Sequence, residues 1–490
     1  MKHLLKFKTK AERDEYMAAT PLPAYPYVHY LEDSQDVLYS GPEVDLPFYI
    51  ENISGLSVKF GNSYEYSRDG VIWQAGTSST TITFSSEERV YFRATGLTAS
   101  SSSGIGKFTI ATGTCNIGGN LMSMLYGADY RGRTEVRTTY AFYKMFSDQV
   151  GLKSARFLAL PATILKNYCY GYMFSGCTSL VNAPELPATA LETNCYYNMF
   201  YGCTSLVNAP ELPATTFALN CCYNMFYNCS TLVKGPSRLG GTLAENCFYQ
   251  MFYGCTSLVT APALPAMALA KNCYASMFVN CKSLVDAPAL PATKVATGCY
   301  TSMFAGCASL VNAPKELPAI TLAGGATSTN SYGYIGCYAS MFSGCTSLVT
   351  APALPATTLQ VGCYNSMFNG CTSLVNAPAL PATTLSGACY GGMFNGCTSL
   401  VTAPVLPATT LTYSSSGANY YGCYHKMFQG CSSLKYIKAM FTTSPGTQYT
   451  LDWVNGVAAE GTFVKNSAAT WATTGASGIP EGWTVELAAA

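Results

Sequence analysis

A unit of 26 residues recurs along the middle of this 490-residue chain and limits what the chain can fold into. A Met-Phe pair marks each unit, and most steps between pairs are 26 residues, with one of 28 and longer ones of 38 and 34. A unit this short cannot bury its apolar side chains alone, whereas stacked copies bury a continuous core. The repeat therefore predicts a solenoid of about eleven coils. The marker methionines are Met145, Met173, Met199, Met225, Met251, Met277, Met303, Met341, Met367, Met393 and Met427.

Each unit has a turn part and a strand part, as residues 363–388 show. Cys363, Met367 and Cys371 are spaced i, i+4 and i+8, which places them on one face of a helical turn. Residues 374–377 read as a short strand, because the prolines that follow lack the amide proton of a longer ladder. The unit thus predicts a mainly β fold with short helical turns.

The sequence Met-Phe-x-Gly-Cys-Thr-Ser-Leu resembles the repeat of the BspA-like leucine-rich repeat family, whose core is Ala-Phe-x-Gly-Cys-x-x-Leu. The resemblance covers roughly residues 141–440. Met stands where that family usually has Ala, and the unit is a few residues longer. The resemblance implies a solenoid of parallel strands and, in most relatives, a surface adhesion role. It does not supply a partner.

The 22 cysteines follow the repeat. Ten open the units, ten more lie eight residues further on, and only Cys115 and Cys222 fall outside both series. They can be core thiols packed as small apolar groups, disulfides between neighbouring coils, or zinc ligands. Parallel Cβ vectors on stacked coils disfavour disulfides, and no Cys-x-x-Cys or paired His supports zinc. We expect mostly free thiols, and no metal or cofactor.

The flanking regions differ from the repeat. Runs such as Arg89–Arg93 alternate apolar and polar residues, as half-buried strands do, and Arg68-Asp69-Gly70 signals a hairpin. Residues 9–16 read as a short helix, and residues 26–31 and 36–39 as a hairpin. The sequence therefore predicts four regions: a helix-hairpin anchor segment at 1–41, a small antiparallel β-sandwich at 42–125, a solenoid with an N-terminal capping unit at 126–440, and a β-rich cap at 441–490.

The N-terminal segment carries a second resemblance. Phe7-Lys-Thr-Lys-Ala-Glu-Arg, then Tyr27-Val-His-Tyr-Leu-Glu, then Val37-Leu-Tyr is similar to the N-terminal segment of virion proteins from gut Bacteroides phages of the crAss-like type. This resemblance implies an anchor that binds other virion proteins, with the rest of the chain projecting outward.

Composition and motifs exclude several function classes. Charged residues are 11% and the formal net charge is +1, so the chain lacks the field that attracts nucleic acid or anionic membranes. The sequence contains no run of about 18 apolar residues, so it does not predict a membrane-spanning helix. No metalloprotease, nucleophile-elbow, Walker or dinucleotide motif occurs. Glu185 and Glu211 hold equivalent places in adjacent units, and we interpret them as an exposed row instead of a catalytic pair. We expect a non-enzymatic protein.

Two insertions, Ala323–Gly336 and Thr412–Gly422, fall at the same place in their units. Insertions in a solenoid map to one side and often carry binding. Tyr with Ser, Gly and Asn suits adaptable recognition, although loops that are merely tolerated remain an alternative. The candidate binding residues of this loop edge are Tyr332, Tyr334, Tyr413, Tyr420 and Tyr421.

A second candidate surface is the polar residue that follows Leu-Val in the strand part. Such a row suits a protein or a glycan, and a merely solvated face is the alternative. Its members are Asn182, Asn208, Thr260, Asp286, Asn312, Thr350, Asn376 and Thr402.

Two functional hypotheses follow from these observations. The first is a phage virion surface protein, either fibre or decoration, that recognises a protein or glycan on a host surface. The second is a secreted or cell-surface BspA-like adhesin, for which the first residues offer no apolar export signal. Homo-oligomerisation stays open.

Overall fold

The computed structural model describes residues 5–7, 28–30, 42–101, 103–324, 336–416 and 419–489. The chain divides into two compact units, Met1–Ala190 with Gly202–Pro213, and Leu191–Tyr201 with Ala214–Ala490. The strands are β1 (Leu5–Phe7), β2 (Val28–Tyr30), β3 (Tyr49–Phe60), β4 (Tyr64–Ser67), β5 (Gln74–Gly76), β6 (Ile82–Thr83), β7 (Arg89–Arg93), β8 (Phe108–Asn120), β9 (Leu152–Ala159), β10 (Ala190–Leu191), β11 (Thr216–Phe217), β12 (Thr242–Leu243), β13 (Tyr413–Ser416), β14 (Asn419–Gly422), β15 (Tyr436–Ala439), β16 (Thr462–Lys465) and β17 (Thr484–Leu487).

Helix is scarce in the described residues. Ser123–Tyr126 and Thr447–Thr450 form single α-helical turns, and Gly127–Tyr130 forms a 3-10 turn. Within this part of the chain, no helical segment combines the length and the hydropathy of a membrane span. The fold class expected from the repeat, mainly β with short helical turns, is confirmed.

A seven-stranded sheet occupies much of the first unit, in the order β5-β4-β7-β3-β8-β9 with β6 paired to β3. The sequence predicted a sandwich here, and the structure instead joins these strands into one sheet. The reason is the length of β3: its 12 residues pair with β6, β7 and β8 in turn, with three register shifts against β8. The predicted strand Arg89–Arg93 is β7, and the predicted hairpin turn at 68–70 joins β4 to β5.

Strand β8 also connects the sheet to the first coil. It pairs in parallel with β9, which is the strand of that coil. The ring of Phe108 stacks on Phe146 at 5.6 Å, and Phe146 stacks on Phe174 at the same distance. Gln149 accepts a hydrogen bond from the Ile110 amide and donates one to the Ser147 carbonyl. The atypical first coil therefore has its polar groups satisfied by the sheet, as an end unit requires.

The turn part of each coil is a run of four-residue turns. In Asn272–Cys281 the residues Asn272, Ser276 and Asn280 have left-handed φ of 51°, 53° and 59°. The Met277 amide donates to the Tyr274 carbonyl within the coil, while the Phe278 amide donates to the Met303 carbonyl of the next coil. Hydrogen bonds donated by successive backbone amides thus alternate between closing a turn and joining two coils. The residues at i, i+4 and i+8 lie on one face of the turn part, as predicted. The backbone there is not a continuous helix, because every fourth residue has a left-handed conformation.

The strand part is reduced to single bridges in most coils. Asp286 pairs in parallel with Asn312, and Asn312 with Thr350, as isolated bridges. The following proline explains the brevity, because it lacks an amide proton. The leucine before the bridge, such as Leu374, is 0% exposed and fills the coil.

All 22 cysteines are free and buried. Each thiol of the later series donates to the carbonyl oxygen of the Phe in the preceding unit, as Cys307 Sγ does to Phe278 at 3.0 Å. The same bond recurs at Cys177, Cys203, Cys229, Cys255, Cys281, Cys345, Cys371, Cys397 and Cys431. A thiol is small enough for the core and gives the Phe carbonyl a second hydrogen bond, since that carbonyl already accepts one from an amide of its own coil, as Phe278 does from Cys281. Alanine would fill the core without this bond between coils.

The C-terminal residues continue the coil pattern in the second unit. Strands β15, β16 and β17 pair in parallel, and Tyr436 faces Thr462 at the corresponding place of the next coil. Trp453 is 0% exposed and packs on Phe428 and Phe441 at 6.2 and 5.9 Å. The Phe428 amide donates to the Trp453 carbonyl, as the Phe278 amide does to Met303, so Trp453 takes the place of the repeated methionine. The predicted β-rich cap is thus built from degenerate coils.

At the N-terminus, β1 and β2 pair in parallel, Leu5 with Val28. The sequence expected residues 26–31 to form a hairpin with residues 36–39. That second strand and the helix expected at 9–16 lie outside the described residues. The four domain boundaries stay predictions.

Candidate functional site

An exposed row of valines follows the strand parts of the coils. Each of these valines comes directly after the buried leucine, and each exposes between 37% and 51% of its surface. We call this row and the polar residue after each valine the strand face. In the first unit its valines are Val181 and Val207. In the second unit they are Val233, Val259, Val285, Val311, Val349, Val375 and Val401.

All eight polar residues that the sequence singled out on the strand face are exposed. Parallel bridges bring Asn182 beside Asn208 in the first unit. In the second unit they align Asp286, Asn312, Thr350 and Asn376 in sequence. Thr260 pairs with Lys234, and Thr402 pairs with Tyr436. The bridges place these side chains at the spacing of neighbouring strands, about 4.8 Å.

Charge on the strand face is confined to part of it. Asn312 Nδ2 donates to Asp286 Oδ1 at 2.6 Å, so that carboxylate is held by its neighbour. From residue 317 to residue 425 the sequence contains no Asp, Glu, Lys or Arg. The coils around Val349, Val375 and Val401 therefore offer only methyl, hydroxyl and amide groups to a partner.

The two insertions leave the coils at equivalent places. The Cys337 amide donates to the Ala323 carbonyl, and the Cys423 amide donates to the Thr412 carbonyl. The second insertion is a hairpin, in which β13 and β14 pair antiparallel with Ser414 opposite Tyr421 and Ser415 opposite Tyr420.

The predicted loop-edge tyrosines divide into two groups. Tyr413 exposes 45% of its surface and packs edge-to-face on Tyr449 at 5.7 Å. Tyr420 and Tyr421 lie in β14. Tyr332 and Tyr334 lie outside the described residues.

The thiols are poorly suited to chemistry. Burial raises the pKa of Cys307 and Cys431 to about 12, so these groups stay protonated and unreactive near neutral pH. In the described part of the chain no group of three or more His, Cys, Asp or Glu side chains is placed to hold a metal ion. The cysteines act as packing and hydrogen-bonding groups.

Sequence reasoning missed the exposed valines. The signal was present, because successive strand residues point to opposite faces and the leucine before each valine is buried. The strand face is consequently more apolar than its polar members suggested.

No protein-family model and no curated protein matches the chain. Among solved structures, a leucine-rich repeat protein from Bacteroides ovatus ATCC 8483 is similar at 17% sequence identity, over 60% of this chain and 77% of that one, with a TM-score of 0.30. The fold assignment therefore rests on the repeat spacing and the strand register of the chain itself. The chain is a mainly β solenoid of 26-residue coils joined by parallel bridges, an architecture that presents extended surfaces for binding.

Proposed function

We propose that the chain is a non-enzymatic recognition protein whose strand face binds a protein or glycan on a surface. One observation carries the proposal: a valine and the polar residue after it stay exposed at the same position in nine coils, two in the first unit and seven in the second. Isolated exposed apolar residues are ordinary, whereas a contiguous apolar row rimmed by polar groups is typical of interaction sites. An amide or hydroxyl follows seven of these valines, and Lys234 and Asp286 follow the other two, so each valine has a hydrogen-bonding group beside it.

The finer proposal is a virion location, with the N-terminal segment as the anchor and the coils directed toward the host. Its support is the N-terminal resemblance together with the uncharged coils, which suit contact without long-range attraction. The alternative, a bacterial surface adhesin, is supported by the resemblance of the repeat.

The binding proposal is tested with matched lysine ladders. The triple variant Val349→Lys, Val375→Lys and Val401→Lys puts three charges on the strand face. The control Thr346→Lys, Thr372→Lys and Thr398→Lys puts them at exposed positions of the turn part of the same coils. Labelled protein is then bound to whole cells from the source culture. We expect the strand-face variant to lose binding and the control to keep it; equal binding by both would reject the strand face.

Location is tested by immunogold electron microscopy of the source culture, with antibody against residues 141–440. Label on phage particles supports the virion proposal. Label on the cell envelope without particles supports the adhesin and rejects the anchor proposed for the N-terminal segment.

A further inference from the structure

A groove of about 470 Å³ opens on the strand face of the first unit. Its lining comes from β9 and from the two strand parts that follow, at residues 181–187 and 208–213. Asn182 pairs with Ser154 on one side and with Asn208 on the other, which fixes the three segments in parallel register. The groove thus lies across successive coils.

The walls of the groove are apolar and stiff. Pro184, Pro187, Pro210 and Pro213 line it together with Val181. Proline has a fixed φ, so these walls are largely formed before any ligand arrives. A preformed groove avoids part of the entropy that a flexible site loses on binding.

The groove is lined by residues of opposite charge that do not form an ion pair with each other. Arg156 and Glu185 both line it and both are exposed. Among the ion pairs of the described residues, none includes either side chain. Glu211 repeats the glutamate in the next coil. The lining of the groove therefore includes one arginine and two glutamates, a set that suits a ligand with charges of both signs.

Two amides complete the polar set. Asn182 and Asn208 are exposed in the groove, and the described protein gives their side chains no hydrogen bond. A primary amide offers both a donor and an acceptor, which matches a peptide backbone. A neutral sugar would leave the guanidinium and the carboxylates unused, whereas a peptide with a basic and an acidic side chain uses every group.

We propose that this groove binds an extended peptide segment that carries a basic side chain and, two residues away, an acidic one. The basic group contacts Glu185 and Glu211, the acidic group contacts Arg156, and the backbone bonds to Asn182 and Asn208. Side chains at i and i+2 of an extended chain lie on one face, so both charges point into the groove. The inference rests on the proposed function, because it names the partner chemistry of one part of the strand face.

The test uses the full chain and the peptide acetyl-Ala-Lys-Ala-Asp-Ala-amide at low salt, where such contacts are least screened. Calorimetric titration should show saturable binding at one site. Replacing the lysine by norleucine should weaken binding by about tenfold, the value of one charge-assisted hydrogen bond. Absence of saturable binding, or equal binding of the norleucine peptide, overturns the proposal.

Protein variants localise the effect. Glu185→Gln should weaken the lysine peptide by about tenfold and leave the norleucine peptide unchanged. Glu192→Gln removes the same charge from an exposed residue outside the groove and should change neither. Arg156→Gln should lose discrimination between Asp and Asn in the peptide. Equal effects of Glu185→Gln and Glu192→Gln would mean a general field and reject the groove.

The groove and the proposed function fail in different ways. If the peptide does not bind but the lysine ladder at Val349, Val375 and Val401 abolishes cell binding, the groove is rejected and the recognition function stands. If the peptide binds as expected and the ladder has no effect, the groove stands and recognition by the coils of the second unit is rejected.

Discussion

The sheet of the first unit and the coils of the second unit bury similar aromatic rings in different ways. In the sheet, Phe92 lies at 40° to Phe48 and at 80° to Phe108. In the coils, neighbouring phenylalanines such as Phe278 and Phe304 stack at 5.5 Å and 7°. The coils meet copies of themselves, so register alone fixes the geometry, whereas each sheet contact depends on two unlike residues.

Charges and thiols divide the two regions in the same way. The sheet contains ion pairs such as Arg93 with Glu65 at 2.7 Å, and Arg89 lies 3.8 Å over the ring of Tyr49. Residues 317–425 of the coils contain no charge. The sheet contains one cysteine, Cys115. The comparison teaches that repetition replaces specific pairing, and four experiments can break or sharpen it.

Alkaline pH should separate the regions most strongly. Burial raises the pKa of Cys273, Cys307 and Cys431 to about 12, whereas an unfolded thiol titrates at about 8.5. Because the folded pKa is the higher one, this stabilisation is complete below the unfolded pKa and is lost as pH rises toward the folded one. The free energy of unfolding should fall by about 1.4 kcal/mol per thiol for each pH unit.

Pulse alkylation from pH 8 to pH 11, mapped by mass spectrometry, measures this loss. We expect the coil cysteines to become labelled together, because the coils lose the stabilisation of many thiols at once. Cys115 should be labelled only at higher pH, since the sheet loses the stabilisation of a single thiol. Labelling of Cys115 at the same pH as the coil cysteines would contradict the difference between the regions.

Removing one aromatic ring should lower the free energy of unfolding in both regions, but the loss of stability should extend over a different part of each region. Phe108 contacts Phe48, Phe60, Phe92 and Phe146 at 4.5 to 5.6 Å. Phe304 contacts only its two stacked neighbours among the described rings. Phe108→Ala and Phe304→Ala should each lower the free energy of unfolding by about 3 to 5 kcal/mol, with Phe108→Ala the larger.

Urea unfolding gives the free energies, and hydrogen exchange shows where the loss is felt. Phe108→Ala should raise exchange throughout the sheet, whereas Phe304→Ala should raise it only in the adjacent coils. Faster exchange across all coils in Phe304→Ala would show that the repeats unfold as one block.

Two left-handed glycines compare the space available in each region. Gly119 has φ of 74° and a Cβ there would overlap the Pro47 carbonyl, while Gly370 has φ of 71° and its Cβ would lie 3.8 Å from Gly344. Both alanine variants carry the same backbone strain, about 1 kcal/mol. Gly119→Ala must also displace the backbone at Pro47 and should cost about 3 kcal/mol or more. Thermal and urea unfolding measure both; similar costs would mean that the sheet yields as easily as the coil.

Removing one tyrosine hydroxyl should change the free energy of unfolding least, and the change should have opposite signs in the two regions. Tyr130 donates its hydroxyl to the Asp45 carbonyl at 2.6 Å, whereas the hydroxyl of Tyr364 is buried without a partner among the described residues. Tyr130→Phe should cost about 1 kcal/mol, and Tyr364→Phe should be neutral or stabilising. Urea unfolding checks both, and destabilisation by Tyr364→Phe would reveal a bound water at that hydroxyl.

The repeat made the coils predictable from the sequence. The period, the buried leucines and the free thiols could be inferred because the same residues recur in about ten units. The spacing of Cys363, Met367 and Cys371 suits both a helix and a run of four-residue turns, so it could not decide between them. The asparagines that recur in the turn part, such as Asn272 and Asn280, were the available signal for left-handed turns.

The unique contacts were not predictable in the same way. The single sheet depends on β8 pairing with β9, two segments with no shared pattern. The exposed polar row could be predicted from the repeat, whereas the groove needed Arg156 to align with Pro184, and residue 156 lies in a coil too degenerate to set its register from sequence. Sites made by unlike residues far apart in the chain require the coordinates of both.

The alternating backbone hydrogen bonds of the turn part give every coil the same two faces. One face donates hydrogen bonds to the next coil, and the other accepts them from the preceding coil. A gene that duplicates or deletes one whole unit by recombination therefore changes the length of the solenoid without creating a new kind of contact. Coil number can drift between related genomes while the end structures stay constant. Selection on such a protein would act first on how far it reaches, and only then on which residues it displays.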